Sequence, residues 1–82
     1  MNNKIIEEVQ KKNIKIIEFT KRLSIETVLS YSESCNIVSY LLSFNNIDEI
    51  IKNYDDKGFE GLNELKLKGE LELLSSYQKI KF

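Results

Sequence analysis

The sequence predicts an all-α fold, a small bundle of four to five helices. Apolar residues recur at spacings of three and four along most of the chain, as they do on the inner faces of amphipathic helices. Asn and Ser residues precede several of these stretches, where they suit the N-caps of helices. At 82 residues, the chain is expected to form a single helical domain over 1–82.

The first helix is predicted from about Lys4 to Arg22. Asn13 interrupts its apolar stripe, and residues 14–16 also alternate in polarity as a strand would. A helix nevertheless accounts for the spacing of apolar residues over the whole segment better than a strand does. Its predicted inner face consists of Ile5, Ile6, Val9, Ile16, Ile17 and Leu23.

Two short helices are expected next. Ser24 is a suitable N-cap for the second helix. Closely spaced serines then lower the helix propensity and predict a break near Glu33, after which Ser34 caps a third helix from Cys35 to Leu42. The residues predicted to point inward are Ile25, Val28, Leu29 and Tyr31 in the second helix, and Ile37, Val38, Leu41 and Leu42 in the third.

The fourth helix has the clearest start and end signals. Residues 43–45 predict a tight turn, and Asn46 followed by Glu49 is a variant of the capping box. The helix is expected to run to about Asp56, with Gly58 as its left-handed C-terminal residue. Its predicted inner face consists of Ile47, Ile50, Ile51 and Tyr54.

The fifth segment begins at Gly61 and continues to the end of the chain. Its Glu, Leu and Lys content favours a helix, which Gly69 weakens by about 1 kcal/mol. An alternating pattern on both sides of Lys68 and Gly69 leaves a β-hairpin open as an alternative. The predicted apolar stripe consists of Leu62, Leu65, Leu73, Tyr77 and Ile80.

The composition argues against an enzyme. The chain has no histidine and a single cysteine, Cys35, so it lacks Ser-His and Cys-His pairs, histidine metal sites and any disulfide within one chain. We therefore expect no catalytic residues, no cofactor and no metal. Apolar runs of two or three residues are too short to span a membrane or form a signal peptide, so the expected location is cytoplasmic.

The third and fourth predicted helices, joined by a three-residue turn, have the layout of a helix-turn-helix. The spacing of Ile47, Ile50 and Tyr54, followed by Gly-Phe-Glu-Gly-Leu at 58–62, resembles the helix-turn-helix of insertion-sequence transposases and their small accessory proteins. The resemblance covers residues 37–62. Ile50 stands where that family has Trp.

The resemblance implies a DNA-binding protein whose recognition helix lies at about 46–56. It also implies a leucine-rich C-terminal helix through which two copies form a homodimer. The first apolar residues of this helix would be Leu62, Leu65, Leu73 and Ile80. Transferred position by position, the groove-facing residues are Phe44, Asn45, Asn46, Glu49, Lys52 and Asn53.

The charge distribution leaves a second function open. Residues 35–62 contain five acidic and two basic residues, a net charge of −3, which opposes phosphate binding. In the DNA-binding hypothesis, Lys11, Lys12 and Lys15 of the first helix hold the DNA backbone. The alternative is a non-enzymatic adaptor or inhibitor that binds a basic protein partner through acidic side chains. These are Asp48, Glu49, Asp55, Asp56 and Glu60.

Overall fold

The computed structural model describes residues 3–81, with side chains described up to Leu74. Four helices follow one another in this range, and none of the described residues lies in a strand. The all-α prediction is therefore confirmed, and the hairpin alternative is wrong because Gly69 lies inside a helix. The helices are α1 (Asn3–Glu26), α2 (Tyr31–Leu42), α3 (Ile47–Lys57) and α4 (Phe59–Lys81).

The chain divides into two compact units, Met1–Ser39 and Tyr40–Phe82. The first unit holds α1 and most of α2. The second holds the last turn of α2 together with α3 and α4, which pack against each other.

Helix α1 continues past the predicted end at Arg22. Ser24 was expected to cap a new helix, but its hydroxyl donates to the Lys21 carbonyl within α1 at 2.7 Å. The Arg22 and Glu26 side chains form an ion pair at 3.1 Å, at the i,i+4 spacing that supports a helix. The second predicted helix therefore does not begin at Ser24.

The inner face predicted for α1 is only partly correct. Phe19, Thr20 and Leu23 are buried near its C-terminal end, and the Thr20 hydroxyl donates to the Ile16 carbonyl at 2.7 Å. The earlier part of the stripe is exposed because nothing in the described structure covers it. The exposed members are Ile5, Ile6, Val9 and Ile17.

Helix α2 begins at a different serine from the one predicted. The Ser30 hydroxyl accepts from the Glu33 backbone N–H at 3.1 Å, and the Ser30 N–H donates to the Glu33 carboxylate at 3.0 Å. This reciprocal pair is a capping box. No break occurs at Glu33, and the predicted cap Ser34 lies buried inside the helix.

The inward residues of α2 follow from this start. Val38 and Leu41 are buried as predicted, whereas Leu29, Ile37 and Leu42 are half-buried. Three residues that precede or begin the helix were predicted to point inward, and this prediction is wrong. Because no short helix forms over this stretch, Ile25, Val28 and Tyr31 are exposed.

Helix α3 matches its prediction closely. The Asn46 side chain accepts from the Glu49 N–H at 2.9 Å and caps the helix. Gly58 ends it with a φ of 65°, and its N–H donates to the Tyr54 carbonyl at 2.7 Å. The buried side consists of Ile47, Ile50 and Tyr54, with Ile51 half-buried.

Helix α4 begins at Phe59, two residues before the predicted start. Leu62 and Leu65 are buried as predicted, but Leu73 is exposed. All described side chains from Glu70 to Leu74 are exposed, so Gly69 is the last buried residue among those of α4 whose side chains the structure describes. The side chains of Tyr77 and Ile80 lie outside the described residues.

Candidate nucleic-acid interface

The turn between α2 and α3 is held by backbone hydrogen bonds. Ser43 N–H donates to the Tyr40 carbonyl at 3.1 Å, and the Phe44 and Asn45 N–H groups donate to the Leu41 carbonyl at 3.1 and 2.9 Å. These bonds satisfy carbonyls that the end of α2 leaves unpaired. The chain therefore passes from α2 into α3 through a short, internally bonded turn.

The outward side of α3 is polar and predominantly acidic. With 3.6 residues per turn, all its exposed positions except Lys57 in the last turn fall on one stripe opposite the buried Ile47, Ile50 and Tyr54. Four members of the stripe are carboxylates and one is a lysine near its middle. The stripe consists of Asp48, Glu49, Lys52, Asp55 and Asp56, to which Glu60 in the first turn of α4 adds a further exposed carboxylate.

The three predicted asparagines all use their amides within the protein. Asn45 Nδ2 donates to the Leu41 carbonyl at 3.1 Å. Asn46 Oδ1 caps α3, while its Nδ2 lies 3.4 Å from the Glu49 carboxylate. Asn53 is half-buried, and its Nδ2 donates to the Gly61 carbonyl at 3.4 Å. Of the predicted base-reading side chains, Asn46, Glu49 and Lys52 are exposed, and the Asn46 amide is used in the cap.

The predicted phosphate contacts belong to the other unit. Lys11, Lys12 and Lys15 are all exposed on α1. They belong to the exposed part of that helix and precede its buried C-terminal part.

A charged pair marks the junction of α3 and α4. Lys57 Nζ donates to the Glu64 carboxylate at 2.9 Å, and both side chains remain more than half exposed. This hydrogen bond and the charge of Glu64 raise the pKa of Lys57, with smaller contributions from Asp56 and Glu60. Glu64 therefore offsets the positive charge of Lys57. As a result, Lys57 compensates less of the negative charge of the acidic stripe on α3.

Gly61 and Gly69 have packing roles that the sequence did not indicate. A Cβ on Gly61 would overlap the Asn53 backbone carbonyl, so α3 and α4 meet backbone to backbone at this point. A Cβ on Gly69 would lie 2.7 Å from the Phe44 ring. Phe44, predicted to face a DNA groove, packs on α4 and contacts Tyr40 edge to face, with ring centroids 5.6 Å apart.

The predicted dimerisation stripe of α4 does not form a single exposed face. Leu62 and Leu65 are buried, on the side of the helix that carries Gly61 and Gly69. They are therefore not available to a second copy. The exposed leucines of α4 are Leu67, Leu71, Leu73 and Leu74.

Comparison of the chain with protein-family models, with curated proteins and with solved structures finds no match. The resemblance to transposase helix-turn-helix domains therefore stays a prediction. Within residues 3–81, every helix falls short of the length of apolar sequence that would let it cross a membrane.

Proposed function

We propose that this protein is a small helix-turn-helix DNA-binding protein with α3 as its recognition helix. The observation that supports this function is the two-sided character of α3. Its aliphatic side is buried and held by an Asn46 cap and a Gly58 end, and its polar side is exposed. A helix fixed in this way can present side chains to the major groove of DNA.

Base contacts in this proposal come from the stripe centred on Lys52. A lysine in the major groove donates to guanine O6 and N7, and a carboxylate such as Glu49 accepts from cytosine N4. The amides of Asn45 and Asn53 serve the fold first, so they contribute less to sequence preference than their residue types suggest.

Phosphate contacts are assigned to Lys11, Lys12 and Lys15 because the surface of α3 is acidic. Most affinity for DNA comes from phosphate neutralisation, and few lysines are available for it. We therefore expect weak binding that weakens further as salt is added.

Fluorescence anisotropy with a labelled mixed-sequence duplex tests this proposal. We expect binding at low salt that is lost at physiological ionic strength, and a shallower salt dependence for Lys12→Ala. The control is Lys66→Ala, which removes one exposed lysine from α4. Absence of binding at low salt, or equal loss in both variants, would contradict the proposal.

A second function is favoured by one observation, the four carboxylates on the outward stripe of α3. In this case the stripe binds a basic partner protein, and long-range attraction raises the association rate. The same stripe serves both functions, so a change in its charge separates them.

The discriminating variant is Glu49→Lys combined with Asp56→Lys. DNA binding predicts tighter binding of the duplex by this variant, whereas partner binding predicts loss of affinity for a labelled oligoarginine peptide. The matched control is Glu70→Lys with Glu72→Lys, which makes the same charge change on exposed positions of α4. The proposed function fails if the variant binds DNA no better than the control does.

A further inference from the structure

The N-terminal part of α1 carries an apolar stripe that the described structure leaves uncovered. The stripe lies within an arc of about 120° on a helix of 3.6 residues per turn, as the apolar side of an amphipathic helix does. One member, Asn13, is polar, and Ile16 is half-buried, whereas the other members are exposed apolar residues. The α1 stripe consists of Ile5, Ile6, Val9, Asn13, Ile16 and Ile17.

The segment that carries the α1 stripe is positively charged, although the chain as a whole is not. Residues 3–17 contain four basic and two acidic residues, a net charge of +2. Residues 18–74 contain six basic and eleven acidic residues, a net charge of −5. Within 9–17 there are three lysines and no acidic residue. An uncovered apolar side and a net positive charge therefore coincide in one segment of one helix.

This combination fits the surface of an anionic membrane. A helix that lies in the membrane interface buries its apolar side at the boundary between headgroups and acyl chains, and its polar side carries lysines that attract anionic lipid. Because a helix is only about 10 Å across, close to the screening length at physiological salt, lysines on its polar side still act on the headgroups. Lys12 borders the α1 stripe directly, one turn before Ile16.

We propose that the α1 stripe is a membrane-binding surface through which this chain attaches reversibly to anionic lipid. Lipid offers apolar area and negative charge together, and headgroups and water at that depth can hydrogen-bond the Asn13 amide. A second copy of the stripe would instead bring an equally positive segment against the first and would enclose the Asn13 amide in an apolar seam.

A second exposed apolar stripe, on α4, lacks this charge. Leu67, Leu71 and Leu74 are each 58% exposed and lie on one side of the helix. The residues around them, 64–74, contain two basic and three acidic residues, a net charge of −1. An anionic surface does not attract this segment, so α4 provides an internal comparison for α1.

Co-sedimentation of the full chain with lipid vesicles tests the proposal. We expect binding to vesicles that contain phosphatidylserine, little binding to vesicles of phosphatidylcholine alone, and weaker binding as salt is added. The matched variants are Val9→Glu on the stripe and Ile14→Glu off it, since the two positions are 52% and 54% exposed and both changes add one negative charge. Val9→Glu should lose at least about tenfold more affinity, because it places the carboxylate in the apolar side.

Several results would overturn the proposal. Equal losses in the two variants would mean that charge alone holds the chain on the vesicles. Equal binding to neutral and phosphatidylserine vesicles would remove the role of the lysines, and absence of binding at low salt would remove the surface itself. Self-association without lipid that is lost only in Val9→Glu would assign the stripe to a second copy. Circular dichroism checks that both variants remain helical.

Tryptophan fluorescence shows which helix meets the lipid. The chain contains no tryptophan, so a single Val9→Trp or Leu71→Trp substitution gives an unambiguous signal. We expect phosphatidylserine vesicles to shift the emission of Val9→Trp to shorter wavelength and to leave that of Leu71→Trp unchanged. The reverse pattern would place the lipid contact on α4 and contradict the proposal.

The vesicle experiments are independent of the proposed DNA binding. Lys11, Lys12 and Lys15 belong to both proposals, and for this reason the test variants change only aliphatic residues that have no assigned DNA contact. Val9→Glu should therefore abolish vesicle binding far more than it weakens duplex binding. Failure of either proposal leaves the result for the other readable.

Discussion

At the residue scale, two serines show how a local signal depends on where the helix begins. Ser34 was predicted to cap a helix, yet it is buried within α2, and none of the described residues offers its hydroxyl a hydrogen-bond partner. Ser30 supplies the cap instead. The sequence contains several serines at suitable spacings, and only the paired Glu33 distinguishes the one that is used.

Ser30→Ala and Ser34→Ala should therefore have opposite effects on stability. Loss of the Ser30 cap should lower the free energy of unfolding by about 1 kcal/mol. Ser34→Ala should raise it by about 0.5–1 kcal/mol, because it removes an unpaired buried hydroxyl and improves helix propensity. Urea unfolding of both variants measures this, and a larger loss for Ser34→Ala than for Ser30→Ala would restore Ser34 as the cap.

The capping box also makes a prediction about pH. The Ser30 backbone N–H, followed by the Ser30 hydroxyl, lowers the pKa of Glu33. A carboxyl whose pKa is lowered in the folded state stabilises that state above its unfolded pKa, and the stabilisation is lost as the pH falls through the folded pKa.

An NMR titration of the Glu33 carboxyl checks this directly. We expect Ser30→Ala to raise the pKa of Glu33 part of the way toward its ordinary value, because the backbone donor remains. Glu33→Gln should remove the acid-dependent part of the α2 cap. A pKa of Glu33 unchanged by Ser30→Ala would show that the hydroxyl does not contact the carboxylate in solution.

At the element scale, α3 was predicted best. The Asn46 cap, the aliphatic side of α3 and the Gly58 end are local signals, and local geometry suffices to interpret them. The side of α4 that is buried was harder to predict. Leucines occur around most of that helix, and the packing at Gly61 and Gly69 is a tertiary contact that periodicity alone does not specify.

Gly61→Ala should destabilise the protein more than Gly69→Ala does. At Gly61 the new methyl group meets the Asn53 backbone, which cannot move aside, and we expect a loss of about 3 kcal/mol or more. At Gly69 it meets the Phe44 ring, which can shift, and the better helix propensity offsets part of the strain, so about 1 kcal/mol is lost.

Thermal or urea unfolding of the two glycine variants provides the comparison. Both substitutions add the same methyl group to the same helix, so each is the control for the other. Equal losses would mean that α3 and α4 do not meet backbone to backbone at Gly61.

For the whole molecule, composition and helical periodicity sufficed to predict an all-α chain, but they did not identify which apolar faces are covered. Val9 and Leu23 belong to the same predicted stripe of α1, yet Leu23 is fully buried and Val9 is exposed. Coverage depends on how far the rest of the chain reaches, which the spacing of apolar residues does not encode. The predicted DNA contacts had the same weakness, since the asparagine amides could equally serve the fold.

The most direct test of the central claim is an NMR titration of the labelled protein with a mixed-sequence DNA duplex at low salt. We expect the largest amide shift changes at the exposed positions of α3, around Glu49 and Lys52, with further changes at Lys11, Lys12 and Lys15. Changes confined to α4, or no changes in α3 while DNA is bound, would contradict the assignment of α3 as the recognition helix.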